Sequence, residues 1–356
     1  MESKVIVFYA SCGQGHKKAA ESLSEFLNCR AYDILDFAPL LIRRCYSWGY
    51  LVVTRRLPLL WCFLYEFSRH SLIRKFIQLL HLFIFKRFLT FLREVNPGII
   101  LSTHFFPPAL ISSLKKKTPM TNFVVVTDLR VHPFWIEKGI DRYFVAREET
   151  KEDLIRGGIA EEKIVVSGIP LRQGFYQQPL KSNFRERFGR DEKPIILFFS
   201  ADFEVPSSLM HLLDELGRDF NFFVICGKNK KLQGYLNRND NPSVAAFSFY
   251  ENIWELMNIS LAVIGKPGGM TVCESLRVRK PLIFTHYIWG QEKNNMDLVT
   301  KWGIGFYAPH HTQLKRTLFF IRDNYQTIQD KFPPQDIDAR HIIKTHLDAL
   351  KQKTVS

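Results

Sequence analysis

Twelve short apolar runs, rich in β-branched residues and without polar alternation, punctuate the chain. They fall at 4–10, 30–35, 98–104, 122–128, 142–146 and 163–168, then at 195–200, 221–226, 244–249, 261–265, 281–285 and 305–308. A run with no polar side predicts a strand buried on both faces, and the helical patterns between the runs predict parallel pairing. Two such sets predict an α/β protein of two doubly wound domains. The join falls within 173–194, where Pro, Gly, Asn and charge mix without apolar period. This gives a first domain over 1–180 and a second over 190–356. A length of 356 residues agrees with that division at roughly 150 residues per domain. Ligands of such sheets bind beyond the carboxyl ends of the strands, so a cleft between the domains is the expected site.

Residues 40–95 break the rhythm. They hold ten basic residues against Glu66 and Glu94, a net +8, together with twelve aromatics. The longest stretches free of charge, 45–54 and 76–85, are about half the 18–20 residues a bilayer span needs. Basic and aromatic residues interleaved on a helical period suit a helix lying in a membrane interface, its rings in the acyl boundary and its arginines on lipid phosphates. The competing reading is a helical pair packed on the sheet with solvated arginines. The many bulky aliphatics argue against nucleic acid.

The whole chain carries 49 Lys+Arg against 35 Asp+Glu, a net +14, which favours a polyanionic partner without choosing one. Its hydrophobic share of 46% excludes disorder. The six cysteines, with no CxxC pair and no metal-ligand spacing, read as reduced thiols. The apolar stretch at 5–10 is too short for a cleavable signal and reads as the first strand.

Candidate chemistry sits at the strand ends. The first run leads into Ser11-Cys12-Gly13-Gln14-Gly15-His16, a glycine turn before a helix, where backbone can approach a ligand and His16 can transfer a proton. A loop histidine with a purely structural role is the alternative. The runs at 98–104 and 122–128 end in Thr103-His104 and Thr127-Asp128, so Asp128 is a candidate base or an orienter of His16, or else a turn cap. In the second half, 261–265 leads into Lys266-Pro267-Gly268-Gly269-Met270-Thr271 and a helix carrying Glu274. Amides at 268–271 with the helix dipole suit a diphosphate, and Glu274 suits the two hydroxyls of a ribose; a plain Pro-Gly turn and a dipole-complementing acid are the alternatives. Trp289-Gly290-Gln291-Glu292 begins a polar cluster past the run at 281–285, suited to a sugar. No HExxH, GKS/T, GxSxG or Cys/His metal arrangement is present.

Taken in order, GQGHKKAAESL, TDLRVHPFW, DRYFVAREETKEDLIRGGIAEEKIVVSGIPLR and GKPGGMTVCES followed by GQEKNN resemble the family of monogalactosyldiacylglycerol synthases and processive diacylglycerol glucosyltransferases. The matching stretches, roughly 4–27, 97–175 and 260–306, cover about two-fifths of the chain. The resemblance implies a GT-B fold, two Rossmann-like domains facing a central cleft. It implies an inverting transferase that moves a hexose from UDP-galactose or UDP-glucose to diacylglycerol or a related lipid, as a peripheral protein on the cytoplasmic face of a membrane. Catalytic roles carry over to His16 and Asp128, nucleotide binding to Gly268, Gly269, Thr271 and Glu274, and a place at the donor sugar to Gly290, Gln291 and Glu292. Segment 40–95 falls where the family keeps its acceptor region, with Arg43, Arg44, Trp48, Arg55, Arg56 and Trp61 as candidate acceptor or membrane contacts. No cofactor besides the donor substrate, no metal and no nucleic acid is expected.

One stretch departs from the family's pattern. After the run at 195–200 the family carries a glycine-rich turn, whereas 201–206 holds Asp202 and Glu204 and no glycine. A catalytically impaired membrane-binding relative therefore stands beside the transferase, as do a UDP-sugar epimerase and a polyprenyl-linked-acceptor transferase on the same fold.

Overall fold

The computed structural model describes residues 4–11, 13–114, 120–177, 192–200, 207–239, 241–334 and 338–355. The turn at 201–206 and most of the expected join lie outside the described residues. The chain forms two units. The first comprises Met1–Arg172, Ile288–Asn294 and Asp336–Ser356; the second comprises Gln173–Tyr287 and Asn295–Gln335.

A strand forms in every one of the twelve apolar runs. The first unit holds β1 (Val5–Tyr9), β2 (Arg30–Asp33), β3 (Ile99–Ser102), β4 (Thr121–Val125), β5 (Arg142–Val145) and β6 (Ile164–Val166). The second holds β7 (Ile195–Phe199), β8 (Asn221–Ile225), β9 (Val244–Phe247), β10 (Ser260–Gly265), β11 (Leu282–Phe284) and β12 (Gly305–Tyr307). Most strands end before their apolar run does, because residues such as Thr103, His104, Thr127 and Asp128 turn out of the ladder into loops.

Each unit is one parallel sheet, ordered β2-β1-β3-β4-β5-β6 in the first and β12-β11-β10-β7-β8-β9 in the second. In the first, the chain leaves β1 towards β2 and then crosses back to lay β3 on the other side of β1. This makes the β1/β3 boundary a topological switch point, where loops diverge and leave a crevice. The second unit has the same feature between β7 and β10.

Both faces of the first sheet are covered. On one, Phe85, Phe88 and Leu92 pack on Phe8, Ile6 and Ile100, with the Phe8 and Phe88 rings edge to face at 5.0 Å. On the other, Ala20 and Leu23 of the helix Gln14–Phe26 meet Ile343 and Leu347. Those two belong to the last helix, Ala339–Val355, so the chain's end packs in the first unit although its sequence position suggested the second.

Segment 40–95 is helical throughout, as Leu40–Arg44, a π-turn at Cys45–Gly49, Tyr50–Arg56, Pro58–Phe67, Ser71–Ile84 and Lys86–Val95. Its parts follow different rules. Lys86–Val95 buries Phe88 and Leu92 on the sheet, as an ordinary core helix does. In Pro58–Phe67 and Ser71–Ile84 the apolar stripe faces outward. Leu59, Leu60, Phe63, Leu64 and Phe67 are exposed on the first and Leu72, Phe76, Leu79, Leu80 and Phe83 on the second, with Leu59 at 86% and Leu72 at 77%. A soluble surface helix shows the reverse pattern. No helix among the described residues is long and apolar enough to cross a membrane.

Candidate active site

The strand-end loops at the first switch point are locked by short local bonds. Asp33, closing β2, accepts from the amides of Ser11 (3.2 Å) and Leu35 (3.0 Å) and so ties down the turn after β1. The helix that follows starts at Gln14, which puts His16 in its first turn. After β4, Asp153 takes both Nε and Nη2 of Arg130 (2.7 and 2.8 Å) and the Val131 amide (3.1 Å). Thr150 Oγ1 donates to Leu129 O at 2.8 Å. These bonds fix the 128–135 loop.

Within that frame His16 meets Thr103 and Thr127. Its Nδ1 lies 2.9 Å from Thr103 O and 2.7 Å from Thr127 Oγ1, and Thr103 Oγ1 donates to His16 O at 2.8 Å. A carbonyl oxygen only accepts, so the network assigns the proton to Nδ1 and a lone pair to Nε2. Nε2 has no partner among the described residues. Burial lowers the His16 pKa, opposed by the charge of Asp128 and the Thr103 bond, so the ring is a neutral acceptor at pH 7.

Asp128 is buried and its pKa is raised by that burial, against the opposing influence of His16, Trp135 and Gln291. Its Oδ2 accepts from Trp135 Nε1 (2.8 Å) and Gln291 Nε2 (2.6 Å), while Oδ1 accepts no hydrogen bond among the described residues. The partner in sequence-distant Gln291 comes from the turn Ile288–Asn294, which belongs to the first unit.

That turn is held by the helix Pro58–Phe67. Trp61 Nε1 donates to Trp289 O at 2.9 Å, and Gly290 packs closely against the Tyr65 ring. Gly290 has φ +100°, and a Cβ there would stand 2.5 Å from Tyr65 Cε2, so both the backbone and the contact demand glycine. Glu292 accepts from the Ile288 amide at 2.8 Å, bracing the turn. Tyr65 in turn packs on His132, their rings 4.7 Å apart. His132 is held neutral by burial, its pKa lowered to about 4. Sequence spacing offers no signal for Tyr65, whose place beside Gly290 and His132 arises only from helix packing.

A cavity of about 360 Å³ opens between these parts of the first unit. Its polar end is His16, His104, His132 and Gln291, and its apolar walls include Tyr46, Val53, Trp61, Leu64, Tyr65 and Phe105. Trp61, a candidate acceptor or membrane contact, lines the cavity and bonds the Trp289 turn. Trp48 does face out, at 71% exposed. Arg43, Arg44 and Arg56 are exposed as well, with Arg43 paired to Asp36 at 2.7 Å; the Arg55 side chain lies outside the described residues.

In the second unit, β10 ends at Gly265 and the turn Lys266-Pro267-Gly268 enters the helix Gly269–Arg277. Gly268 is the cap and offers no side chain, so no side chain caps the first-turn amides at 269–271. Gly268, Gly269 and Thr271 are half-buried, and Glu274 is buried in the helix's second turn. Asn295 Nδ2 donates to Pro267 O at 3.0 Å and steadies the turn. Among the described residues no cluster of three His, Cys, Asp or Glu could hold a metal ion.

Two parallel units, one with a neutral histidine and a buried aspartate at its switch point, the other with an uncapped helix N-terminus at its own, define a GT-B glycosyltransferase. Solved structures share the fold. The S. aureus MnaA-UDP co-structure aligns over 98% of this chain and 97% of its own with TM-score 0.61 and 12% identity. Acinetobacter baumannii MurG aligns over 98% and 99% with TM-score 0.58 and 13% identity.

Residues 16–171 match the monogalactosyldiacylglycerol (MGDG) synthase family model and 204–316 the glycosyltransferase family 28 C-terminal domain. A processive diacylglycerol beta-glucosyltransferase of Bacillus thuringiensis (strain Al Hakam) is 31% identical over 281 residues, 74% of this chain and 71% of the relative. One of Bacillus cereus (strain AH187) is 31% identical over 280 residues, 74% and 70%. The chain belongs to this family of glycolipid-forming glycosyltransferases.

Proposed function

We propose that the protein transfers a hexosyl group from UDP-glucose or UDP-galactose to the free hydroxyl of diacylglycerol, with inversion, at an anionic membrane surface. The observation that carries this reading is the cavity of the first unit. One of its walls is built from helices whose outer faces are apolar, and its lining includes His16, whose charged form the buried Asp128 favours, and Gln291, which bonds Asp128. A lipid hydroxyl can reach the polar end while its acyl chains keep to the apolar side. The net +8 of the segment supplies the attraction to anionic headgroups.

In this reading His16 Nε2 takes the acceptor's proton as its oxygen bonds to the anomeric carbon. The carbon–oxygen bond to the diphosphate breaks in the same displacement, and its electron pair leaves with UDP. Asp128 stabilises the imidazolium that forms. The amides at 269–271 and the helix dipole receive the charge growing on the β-phosphate, and Glu274 holds the ribose. The S. aureus MnaA and A. baumannii MurG structures share the fold at identities that speak for fold alone.

The test is UDP release from each donor, with and without anionic vesicles containing diacylglycerol. Release that needs the lipid is expected. Release without it, or none from either donor in its presence, overturns the proposal.

A further inference from the structure

The cavity contains a second histidine whose chemistry is opposite to that of His16. His104, immediately beyond β3, is 2% exposed. Its Nδ1 accepts the backbone N–H of Phe106 at 3.2 Å, which leaves Nδ1 without a proton and places one on Nε2. Burial, with the neighbouring His16 and His81, drives its pKa well below the ordinary histidine value, so the ring stays neutral. Phe105 stacks on it at 4.2 Å and Phe106 meets it edge on at 4.5 Å, which fixes the ring plane. Its Nε2–H meets no acceptor among the described residues, and the residue lines the polar end of the cavity. The Nε2–H is therefore open to the cavity, where an oxygen of a bound ligand can accept from it.

The rings of His16 and His104 stand edge to face, 4.5 Å between centroids. The cavity thus presents an acceptor, His16 Nε2, beside a donor, His104 Nε2–H. A ligand matching that pair carries a hydroxyl next to an oxygen with lone pairs. Both nitrogens acting on the hydroxyl would be counterproductive, since a donor on the attacking oxygen draws electron density from it and lowers its nucleophilicity. The donor belongs on the neighbouring oxygen.

We infer that His104 binds the ester carbonyl adjacent to the free hydroxyl of the acceptor, orienting that hydroxyl on His16. The inference rests on the reading of the acceptor as a diacylglycerol and adds the group by which it is recognised. His104 is then a specificity-determining residue, favouring ester-linked over ether-linked glycerolipids. The weaker ether oxygen forfeits one neutral hydrogen bond, about tenfold in kcat/KM.

The experiment compares 1,2-diacylglycerol with 1,2-dialkylglycerol of equal chain length, in identical vesicles, for the native enzyme, His104→Phe and His104→Gln. The native enzyme should prefer the ester about tenfold. His104→Phe should erase the preference mainly through KM, leaving the pH profile of kcat in place. His104→Gln, which retains an N–H donor, should recover part of the preference. An ester-to-ether ratio near one in the native enzyme, or the same ratio in native and His104→Phe, overturns the inference. Should His104→Phe fail to fold, the native and His104→Gln ratios decide. Inactivity of the native enzyme towards both lipids strikes the proposed function itself, a distinct outcome.

Discussion

The strand-end wall of the cavity and its helical wall are built on opposite rules. Behind the first, polar groups are buried and bonded: Thr103, Thr127 and Asp128 are almost wholly enclosed, the two threonines bonded to His16 and the aspartate to Trp135 and Gln291. In the second, apolar groups are left in the open along Pro58–Phe67 and Ser71–Ile84. Each departure is costly for a soluble protein, the one in desolvation and the other in exposed apolar area, and each is sensible only for a task. Under the proposed function the first wall serves a proton transfer and the second serves contact with lipid. The two meet where Trp61 and Tyr65, on the inner face of an outward-apolar helix, grip the turn whose Gln291 bonds Asp128.

The comparison breaks most sharply at His16. His16→Ala removes the base and should lower kcat by about 10²–10⁴, while vesicle flotation stays as in the native protein. Equal turnover in the variant would take His16 out of the mechanism and leave the strand-end wall without a task.

The other wall is probed by Leu59→Ser with Phe63→Ser, positions outside the cavity lining. Losing part of the transfer energy of two large apolar side chains, about 2 kcal/mol together, should weaken partition to anionic vesicles roughly thirtyfold. Turnover of a short-chain diacylglycerol in free solution should be unchanged. Undiminished flotation would mean that the exposed stripes serve something other than lipid.

These two walls also differ in how far the sequence discloses them. All twelve strands follow from apolar runs, and the strand-end rule leads directly to His16, Thr103, Thr127 and Asp128, since chemistry of this kind gathers at switch points. Composition marks 40–95 as unusual but leaves the direction of its faces open. Interleaved charge and aromatics describe both Lys86–Val95, which packs on the sheet, and Ser71–Ile84, which shows its apolar side. Only the turn to the sheet at Phe85 and Phe88 separates them. The bond between Gln291 and Asp128 joins residues 163 apart in sequence, and the seat of Gly290 on Tyr65 depends on helix docking. Local pattern carries no trace of either.

Asp128→Asn tests the electrostatics of the strand-end wall. Losing a charge that stabilises the imidazolium should reduce kcat about tenfold to a hundredfold. The sign of the pH effect is the sharper readout. Asp128 raises the His16 pKa, so its removal lets that pKa fall further, and the acid limb of kcat/KM should move to lower pH.

The smallest change, Trp135→Phe, should act in the opposite direction. The indole N–H donates to Asp128 Oδ2 and lowers the carboxyl pKa, offsetting some of the burial that raises it. Without that bond the carboxylate is harder to form, so the pH at which Asp128 is ionised rises. A site that needs Asp128 charged will then show its acid limb moved to higher pH, with only a few-fold loss of kcat at the plateau, the worth of one hydrogen bond to a charged group shared with Gln291. Opposite displacements in Asp128→Asn and Trp135→Phe mean that the carboxylate acts on His16 as a charge. Displacement of both limbs in one direction would mean that Trp135 and Asp128 serve only to shape the loop, and that the network from Gln291 to His16 is scaffolding.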